Sequence, residues 1–470
     1  MRRHQFLFVQ GKVKSTYTDT DKHRRTMITI KSFLRCKKLR RSNRLEKIEK
    51  EEIREKVIQD GPLGYFDILP IELKYHILGY FSVKDLSILT ITSKMMRNLV
   101  EGYRGTSHFS RHLLPQPLPH KSVPVDKQAD YIRNFEKLGL LLKRSTCLYA
   151  TKDRLKFIID FLNKMSCSYT KDCEDISKCI ALTCFGKFLH TVLAGWDEAE
   201  CIRAFDCICF HVNMQRTLTS ILTGKPGANL KVEYDIRIFF RRVFLNQCES
   251  VQDRGFWLTR ILKPFPLVHQ ARLLFILYGP VVEEEISWYE MCDTSPTGSE
   301  QTSYYFKDLA NTIQILHCKT QEWSEDDIIS VMDELSCIPE EWLPENYANL
   351  MLLCGDTITT KTLISKAING RVLELSSIIA SLCGVCSKNG FSQDYVISLT
   401  QKILEIMDSA KERVHLITSI TENFKELLID LHDFSSQDDR QHEEFLYMVS
   451  AVTQLTKKAL HFAFKDMLSS

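Results

Sequence analysis

The sequence has no apolar run long enough to cross a lipid bilayer. Its longest runs, such as residues 273–278, are far shorter than the roughly 20 residues that a membrane-spanning helix needs. At the N-terminus, Arg2 and Arg3 are followed by only the short apolar stretch 6–9, which cannot form the core of a secretory signal. We therefore expect a cytosolic or nuclear protein that neither spans a membrane nor is secreted.

Short catalytic signatures are missing as well. The sequence has no G-x-S-x-G elbow, no H-E-x-x-H pair, no phosphate-binding G-x-x-x-x-G-K-[ST] loop and no G-x-G-x-x-G after a strand. A zinc-bound ligase domain would need a dense series of Cys and His ligands, and none is present. We expect a protein that is not itself an enzyme and that needs no cofactor.

Cysteine is plentiful, with 16 residues, but its spacing does not indicate a metal site. Cys383 and Cys386 form a lone C-x-x-C inside a predicted helix, without the second ligand pair of a structural zinc site. A second group has spacings that fit no zinc module and would not converge on a helix; it comprises Cys167, Cys173, Cys179, Cys184 and His190. Buried free thiols in a reducing compartment are favoured, and no metal is expected.

Charge is distributed unevenly. Residues 1–60 hold 18 Lys and Arg against 8 Asp and Glu, whereas the rest holds 44 against 51. Residues 1–60 are predicted to be a mostly disordered basic tail that ends in a mixed-charge helix over 46–56. A compact cluster is a candidate nuclear-localisation signal, a nucleic-acid contact or a solvated charge run: Lys37, Lys38, Arg40, Arg41 and Arg44. The mildly acidic remainder makes a nucleic-acid-binding body improbable.

The stretch 66–103 is predicted to form three short amphipathic helices. Apolar residues recur at near-helical spacing in each one. They are Leu69, Leu73, Ile77, Tyr80 and Phe81 in the first, Val83, Leu86 and Leu89 in the second, and Met96, Leu99, Val100 and Tyr103 in the third. Ser82 and Asp85 have the spacing of a capping box. Because fewer than about 40 residues rarely bury enough surface to fold alone, a partner is implied.

This stretch resembles the F-box motif. The order that carries the resemblance is Leu69-Pro70-x-Glu72-Leu73, Ile77-Leu78, Phe81, Asp85-Leu86, Leu89 and Ser93. Two positions depart from the family pattern: Thr92 stands where valine is frequent, and Met96 where tryptophan is frequent. The resemblance implies docking on the adaptor Skp1, and through it on Cul1 and a RING subunit of a ubiquitin ligase. The residues implied for Skp1 contact are Leu69, Pro70, Leu73, Ile77, Leu78, Leu86 and Leu89.

A narrower resemblance to one branch of that family extends over most of the chain. It is carried by residues 38–44, 194–198, 256–264 and 366–371. The resemblance to this branch implies a substrate receptor that is associated with germline meiosis. It identifies no substrate.

Beyond residue 125 nearly every segment has a helical pattern, so the fold class is all-α. Candidate helices lie near 127–143, 151–165, 176–194, 197–222, 230–247, 266–278, 303–318, 324–337, 358–369, 371–387, 391–408, 410–433 and 440–467. No self-similar period of the tetratricopeptide, ankyrin or armadillo type is found, so an irregular solenoid-like body of helical hairpins is favoured over one compact bundle.

The expected order is a tail over 1–60, the F-box over 64–104, a proline-bearing linker without regular helix over 105–125, and the body over 126–470. An exposed loop over 283–302 is expected within the body, where it would separate two subdomains.

The body offers only weak candidates for substrate contact. Arg237, Arg241, Arg242, Arg260 and Lys263 could form a basic rim for an acidic or phosphorylated segment, although such charges are usually solvated. Trp196 and Trp257 could anchor an interface, but packing between helices is the favoured interpretation.

Four functions remain open on the sequence. The first is a substrate receptor of a Skp1–Cul1–F-box ubiquitin ligase, which acts by holding a protein substrate close to the chemistry of another subunit. The second is a nuclear scaffold that binds Skp1 without delivering substrates for destruction. The third is nucleic-acid binding through residues 1–45, and the fourth is a helical-repeat adaptor that has no Skp1 partner.

Overall fold

The computed structural model describes residues 43–59, 61–113, 123–165, 179–294, 300–434 and 445–457. The chain divides into two compact units, residues 1–74 and 75–470. Helices dominate the described residues of both, which confirms the all-α prediction. Within the described ranges, no helix has the length and apolarity needed to cross a membrane.

The described part of the first unit is short. It contains α1 (Asn43–Gln59), a 3-10 turn (Gly64–Ile68) and the start of α2 (Ile71–Leu78). The predicted mixed-charge helix over 46–56 lies inside α1. The Lys74 ammonium lies 6.0 Å from the centroid of the Phe66 ring and 4.0 Å from Asp67 Oδ1, so this lysine folds back over the 3-10 turn.

The second unit begins with the remaining helices of the F-box-like stretch and continues into the body. The helices up to residue 262 are α3 (Val83–Thr92), α4 (Lys94–Arg104), α5 (Ser107–Leu113), α6 (Val125–Ser145), α7 (Thr151–Lys164), α8 (Ala181–Leu193), α9 (Glu198–His211), α10 (Met214–Thr223), α11 (Leu230–Phe240), a π-turn (Arg241–Leu245) and α12 (Val251–Leu262).

The rest of the body is also helical apart from one hairpin. It comprises α13 (Leu267–Tyr278), β1 (Val281–Val282), β2 (Glu285–Ile286), α14 (Glu290–Asp293), α15 (Glu300–Lys319), α16 (Glu325–Leu335), α17 (Pro344–Cys354), α18 (Asp356–Ile368), α19 (Val372–Lys388), α20 (Asp394–Ile406), α21 (Ala410–Phe434) and α22 (445–457). The strands are antiparallel, with Val281 opposite Ile286.

The body helices stack in two alternating rows. In one row α6 packs on α8, and farther along α12 packs on α15, α15 on α17, α17 on α19 and α19 on α21. In the other row α11 packs on α13, α13 on α16, α16 on α18 and α18 on α20. Apart from the four-residue α14, which the pairs α12–α15 and α13–α16 pass over, each of these helices contacts the next but one along the chain, as in stacked helical hairpins. This arrangement confirms the predicted solenoid-like body.

Several predicted boundaries were wrong. Helices α12 and α17 were not predicted, and the helix expected over 197–222 is broken at Asn213, whose φ of 55° lies in the left-handed region. Helix α5 occupies part of the connection that its prolines were expected to keep irregular. The loop expected over 283–302 is not uniformly exposed, because Trp288 and Met291 are buried. In each case long-range packing overrides the local signal.

Candidate functional site

The F-box-like stretch buries one side of its helices inside the second unit. Leu78, Leu86, Leu99, Val100 and Tyr103 are all buried there. Two local caps begin the helices: the Ser82 hydroxyl accepts a hydrogen bond from the Asp85 amide, and the Ser93 hydroxyl accepts one from the Met96 amide. The first is the predicted capping box, which is confirmed.

Helix α3 packs directly against α6, the first helix of the body. A guanidinium nitrogen of Arg144 donates a hydrogen bond of 3.0 Å to Ser87 Oγ. On α4, the guanidinium of Arg104 lies 4.1 Å from the centroid of the Phe157 ring and 3.2 Å from the Glu101 carboxylate. The inner face of α3 and α4 is thus covered by the chain itself. The prediction that these helices need a foreign subunit to cover them is wrong for that face.

Helix α5 closes the far end of α4. The Tyr103 hydroxyl lies 2.9 Å from His108 Nδ1, and its ring packs edge-on against Phe109 with 5.7 Å between centroids. Burial raises the pKa of Tyr103, so the phenol remains a neutral hydrogen-bonding group. These contacts explain why residues 107–113 are helical despite the prolines that follow.

A second set of apolar side chains remains exposed. In the first unit Leu69 is half-buried, whereas Pro70, Ile71 and Leu73 are exposed. In the second unit Ile77 and Leu89 are half-buried. Five further residues of the second unit are exposed: Tyr80, Phe81, Ile88, Ile91 and Met95. Neighbouring exposed apolar groups, such as those of the second unit, are typical of interaction sites.

Two of the seven predicted Skp1 contacts are buried in the chain itself. Leu78 is 1% exposed and Leu86 is 0% exposed, so their side chains belong to the core of the second unit. The sequence shows that these residues belong to an apolar stripe, but it does not show whether a partner protein or the chain itself buries that stripe. The predicted contacts do not include Ile88 and Ile91, which lie three residues apart on the outer side of α3 and are 43% and 56% exposed. Two isoleucines on the otherwise polar outer face of α3 are the feature of the sequence that indicates an exposed apolar surface there.

The five candidate substrate-binding cations are already engaged within the body. Arg237 is buried and donates hydrogen bonds of 2.9 Å to the carbonyl oxygens of Ile276 and Gly279. Arg242 donates to the Cys179 carbonyl. The other three form ion pairs: Arg241 with Asp308, Arg260 with Glu322, and Lys263 with Asp327. All five cations therefore have partners within the body itself.

The cysteine groups behave as core thiols wherever the structure describes them. Cys383 and Cys386 are buried on α19, and burial raises the pKa of Cys386 to about 11. Cys184 is buried on α8, with its pKa raised to about 12 mainly by burial. Cys167 and Cys173 lie outside the described residues. In the part of the chain that is described, no group of three or more potential ligands could hold a metal ion.

The two tryptophans pack against other side chains. Trp257 is buried, with its ring 5.2 Å from that of Phe244, which confirms the packing interpretation. Trp196 is half-buried, and the Arg154 guanidinium lies 3.9 Å from its ring centroid.

The candidate nuclear-localisation cluster is not tested by the structure. Lys37, Lys38, Arg40 and Arg41 lie outside the described residues, and Arg44 is exposed in the first turn of α1.

The helical motif and the stacked hairpins behind it have the organisation of an F-box protein with a repeat body. A family model described as FBXO47, ARM repeats matches residues 210–465. The chain is 37% identical over 442 residues to F-box only protein 47 of Homo sapiens, covering 92% of this chain and 97% of that protein. It is also 36% identical over 416 residues to F-box only protein 47 of Mus musculus, and this match covers 87% of this chain and 91% of the mouse protein. The chain belongs to the F-box only protein 47 family. No solved structure matches it.

The match to armadillo repeats corrects the finding that no armadillo-type period is present. The helices in the matched range are unequal, with 12 residues in α12, 20 in α15, 11 in α17 and 17 in α19. A repeat built from helices of such different lengths keeps the packing of its neighbours but not a constant spacing in sequence. The period is therefore hidden from a search for self-similarity.

Proposed function

We propose that this chain is the substrate-recognition subunit of a Skp1–Cul1–F-box ubiquitin ligase. The observation that carries the proposal is the two-sided character of α3. On its inner side Leu86 and Thr90 are buried, and the helix packs on α4 and α6, while Ile88 and Ile91 remain exposed on its outer side. A helix that is apolar on a face that its own chain leaves uncovered is suited to a partner protein.

Membership of the family supports Skp1 as that partner. The proposed contacts are Leu69, Pro70, Leu73, Ile77 and Leu89 of the family motif, to which we add Ile88 and Ile91. Burial of an exposed aliphatic side chain contributes roughly 1.5–3 kcal/mol, so several of them are sufficient for stable association. In this proposal Cul1 and a RING subunit join through Skp1.

The chain would act by proximity and not by chemistry of its own. A protein substrate held on the helical body is presented at a high effective concentration to the ubiquitin-charged enzyme of the assembly. Direct packing of α3 and α4 on α6 supports this mechanism, because it fixes the docking helices to the body that would hold the substrate.

Co-purification of Skp1 tests the docking step. The triple variant Leu69→Ala, Pro70→Ala, Ile77→Ala should lose Skp1 from the purified complex. A matched control replaces three exposed apolar residues of the body: Leu148→Ala, Phe210→Ala and Ile368→Ala. The control should recover Skp1 in the normal amount. Equal recovery of Skp1 from both triple variants would show that the motif is not the contact.

The ligase role is tested in the same purifications. Recovery of Cul1 with Skp1, together with turnover of a bound protein that depends on cullin neddylation, is the expected result. Skp1 without Cul1 would instead support a Skp1-binding scaffold without a degradative role.

A further inference from the structure

Four side chains join α4 of the F-box-like stretch to the second helix of the body, and we call them the clasp: Glu101, Arg104, Tyr149 and Phe157. On α4, an Arg104 guanidinium nitrogen is 3.2 Å from the Glu101 carboxylate. The Tyr149 hydroxyl, in the turn between α6 and α7, donates a hydrogen bond to Glu101. The centroid of the Phe157 ring, on α7, is 4.1 Å from the Arg104 guanidinium carbon and 6.0 Å from the centroid of the Tyr149 ring. The four contacts therefore form a closed ring.

The charges of the clasp are largely shielded from water. The side chains of Glu101 and Arg104 are 14% and 21% exposed. A partly buried pair is screened by salt less than a pair on the open surface. The hydrogen bond to Glu101, followed by burial, raises the pKa of Tyr149. The phenol is therefore protonated at neutral pH and keeps its donor role towards the carboxylate.

A cavity of about 330 Å³ lies beside the clasp, with α4 and α5 on one side and α6, α7 and α8 on the other. Its lining includes Glu101, Arg104 and Phe157, together with Phe109 of α5 and Leu138 of α6. The described side chains leave this volume unfilled, so among them the close packing between α4 and α7 is interrupted. Within the described part of the chain, the attachment of α4 to α7 therefore depends on the clasp more than on apolar packing.

The clasp is a second point of attachment between the F-box-like stretch and the body. The first is the packing of α3 on α6, which includes the hydrogen bond between Arg144 and Ser87. Two packed helices can still slide or turn on each other through small shear movements. Because the clasp holds α4 on a different body helix, α7, it opposes such a movement.

A turn between α3 and α6 would grow along the body. The body helices stack in rows, and packed helices lie about 8–10 Å apart, so each successive layer would be displaced farther than the one before it. Group transfer between two bound partners is fast only when the reacting atoms are held in the right geometry. The angle at which α3 and α4 sit on the body is consequently important for transfer to anything that the body holds.

We propose that the four clasp residues are positioning residues for ubiquitin transfer. They hold the body at one angle to the helices that dock on Skp1, and they act through those helices without contacting the adaptor themselves. The inference rests on the proposed function, since the transfer that the clasp would orient is that of the Skp1–Cul1–F-box assembly.

The test variant opens the clasp without leaving a charge unpaired. Tyr149→Phe combined with Phe157→Leu removes the hydroxyl donor and the aromatic platform, but it keeps the ion pair of Glu101 with Arg104 on α4. The matched control is Lys366→Met on α18, which removes a buried cation and so lowers stability without touching the clasp. Both variants are made in the full chain.

Distances between spin labels test the joint directly. The labels are attached through unnatural amino acids at positions 88 and 210, where Ile88 of α3 and Phe210 of α9 are exposed. Helix α9 packs on α7, so this distance reports the angle between the docking helices and the body. The distribution should be narrow in the unaltered chain and in Lys366→Met, and broad in the clasp variant. An equally narrow distribution in the clasp variant, or equal broadening in the control, would overturn the proposal.

Ubiquitin transfer tests the positioning role. The full chain is assembled with Skp1, Cul1, a RING subunit, ubiquitin and its activating and conjugating enzymes, and the acceptors are the lysines of the chain itself. Peptide mass spectrometry should find a restricted set of modified lysines in the unaltered chain and in Lys366→Met. The clasp variant should capture Skp1 in the normal amount but spread the modification to other lysines. The same set of lysines in the clasp variant would overturn the positioning role.

These measurements separate the clasp from the adaptor function. Failure of the unaltered chain to capture Skp1 would refute the adaptor function, and with it the role of the clasp in ubiquitin transfer. The spin-label distances need no adaptor, so they would still decide whether the clasp fixes the angle between the docking helices and the body.

Discussion

Arg144, on the first helix of the body, donates a hydrogen bond of 3.0 Å to Ser87 in the middle of α3. These residues are 57 positions apart, and the contact joins the docking motif to the body without relying on the connection between them. Ser87 is buried, so the bond satisfies a polar group that water cannot reach. Helix α3 of the motif is consequently held directly on the first helix of the body.

Two neighbouring residues of α3 should separate folding from docking. Leu86→Ala empties a fully buried position and should lower the free energy of unfolding by about 2–5 kcal/mol. Ile88→Ala removes an exposed side chain, so stability should change by less than about 0.5 kcal/mol while Skp1 capture falls. Chemical denaturation and Skp1 co-purification provide the two measurements. A strong loss of stability from Ile88→Ala would place its side chain in the core.

Gly139 of α6 lies close against the backbone of α8. A Cβ at this position would lie 2.7 Å from the Phe188 carbonyl oxygen and 2.9 Å from Thr191 Cβ. Gly139→Ala should therefore destabilise the body by about 1–3 kcal/mol, although alanine is the better helix former. Gly384→Ala is the control, because its new Cβ would meet only the terminal methyl of Met448, which can move. Thermal unfolding should show a lower midpoint for the first variant alone.

Lys366 is 1% exposed and lies between two carboxylates, 2.7 Å from Asp333 and 2.6 Å from Glu374. Lys366→Met should destabilise the chain by about 1–3 kcal/mol, because it removes the buried cation between the two carboxylates and leaves only Arg371, which is 41% exposed, to pair with them. The comparison is Lys156→Met, whose partner Asp153 is at 2.9 Å but whose side chain is 63% exposed. That variant should change stability by less than about 1 kcal/mol. Similar losses of unfolding free energy for the Lys366→Met and Lys156→Met variants in urea titrations would contradict this role of Lys366.

His190 should make stability depend on pH. Its folded pKa, near 4 because of burial, lies below the value near 6.5 of an unfolded chain. The unfolded state therefore binds the proton more readily, and stability falls as the pH is lowered from about 6.5 towards 4. Compared with His190→Gln, the unaltered chain should lose about 2 kcal/mol of unfolding free energy between pH 7 and pH 5. A difference between the two chains that is constant with pH would exclude this origin.

Local chemistry was predicted well from the sequence. The predicted capping box of Ser82 with Asp85 is formed, because it involves residues only three apart. Helix α12 was missed because Gly255 is a poor helix former. It lies where a Cβ would be 2.9 Å from Thr320 Cγ2, so the glycine serves a distant contact that no local pattern shows.

The amino-acid sequence by itself determined that the chain is helical, where many of its helices begin, and which short stretch carries the F-box pattern. Only the tertiary structure decided that Leu86 faces inward while Ile88 faces outward, and that Arg241 is paired with Asp308, 67 residues away. The physical reason is the separation along the chain of the residues that interact. Caps and amphipathic faces arise within a few residues, whereas burial and ion pairing depend on which distant helix the packing brings alongside.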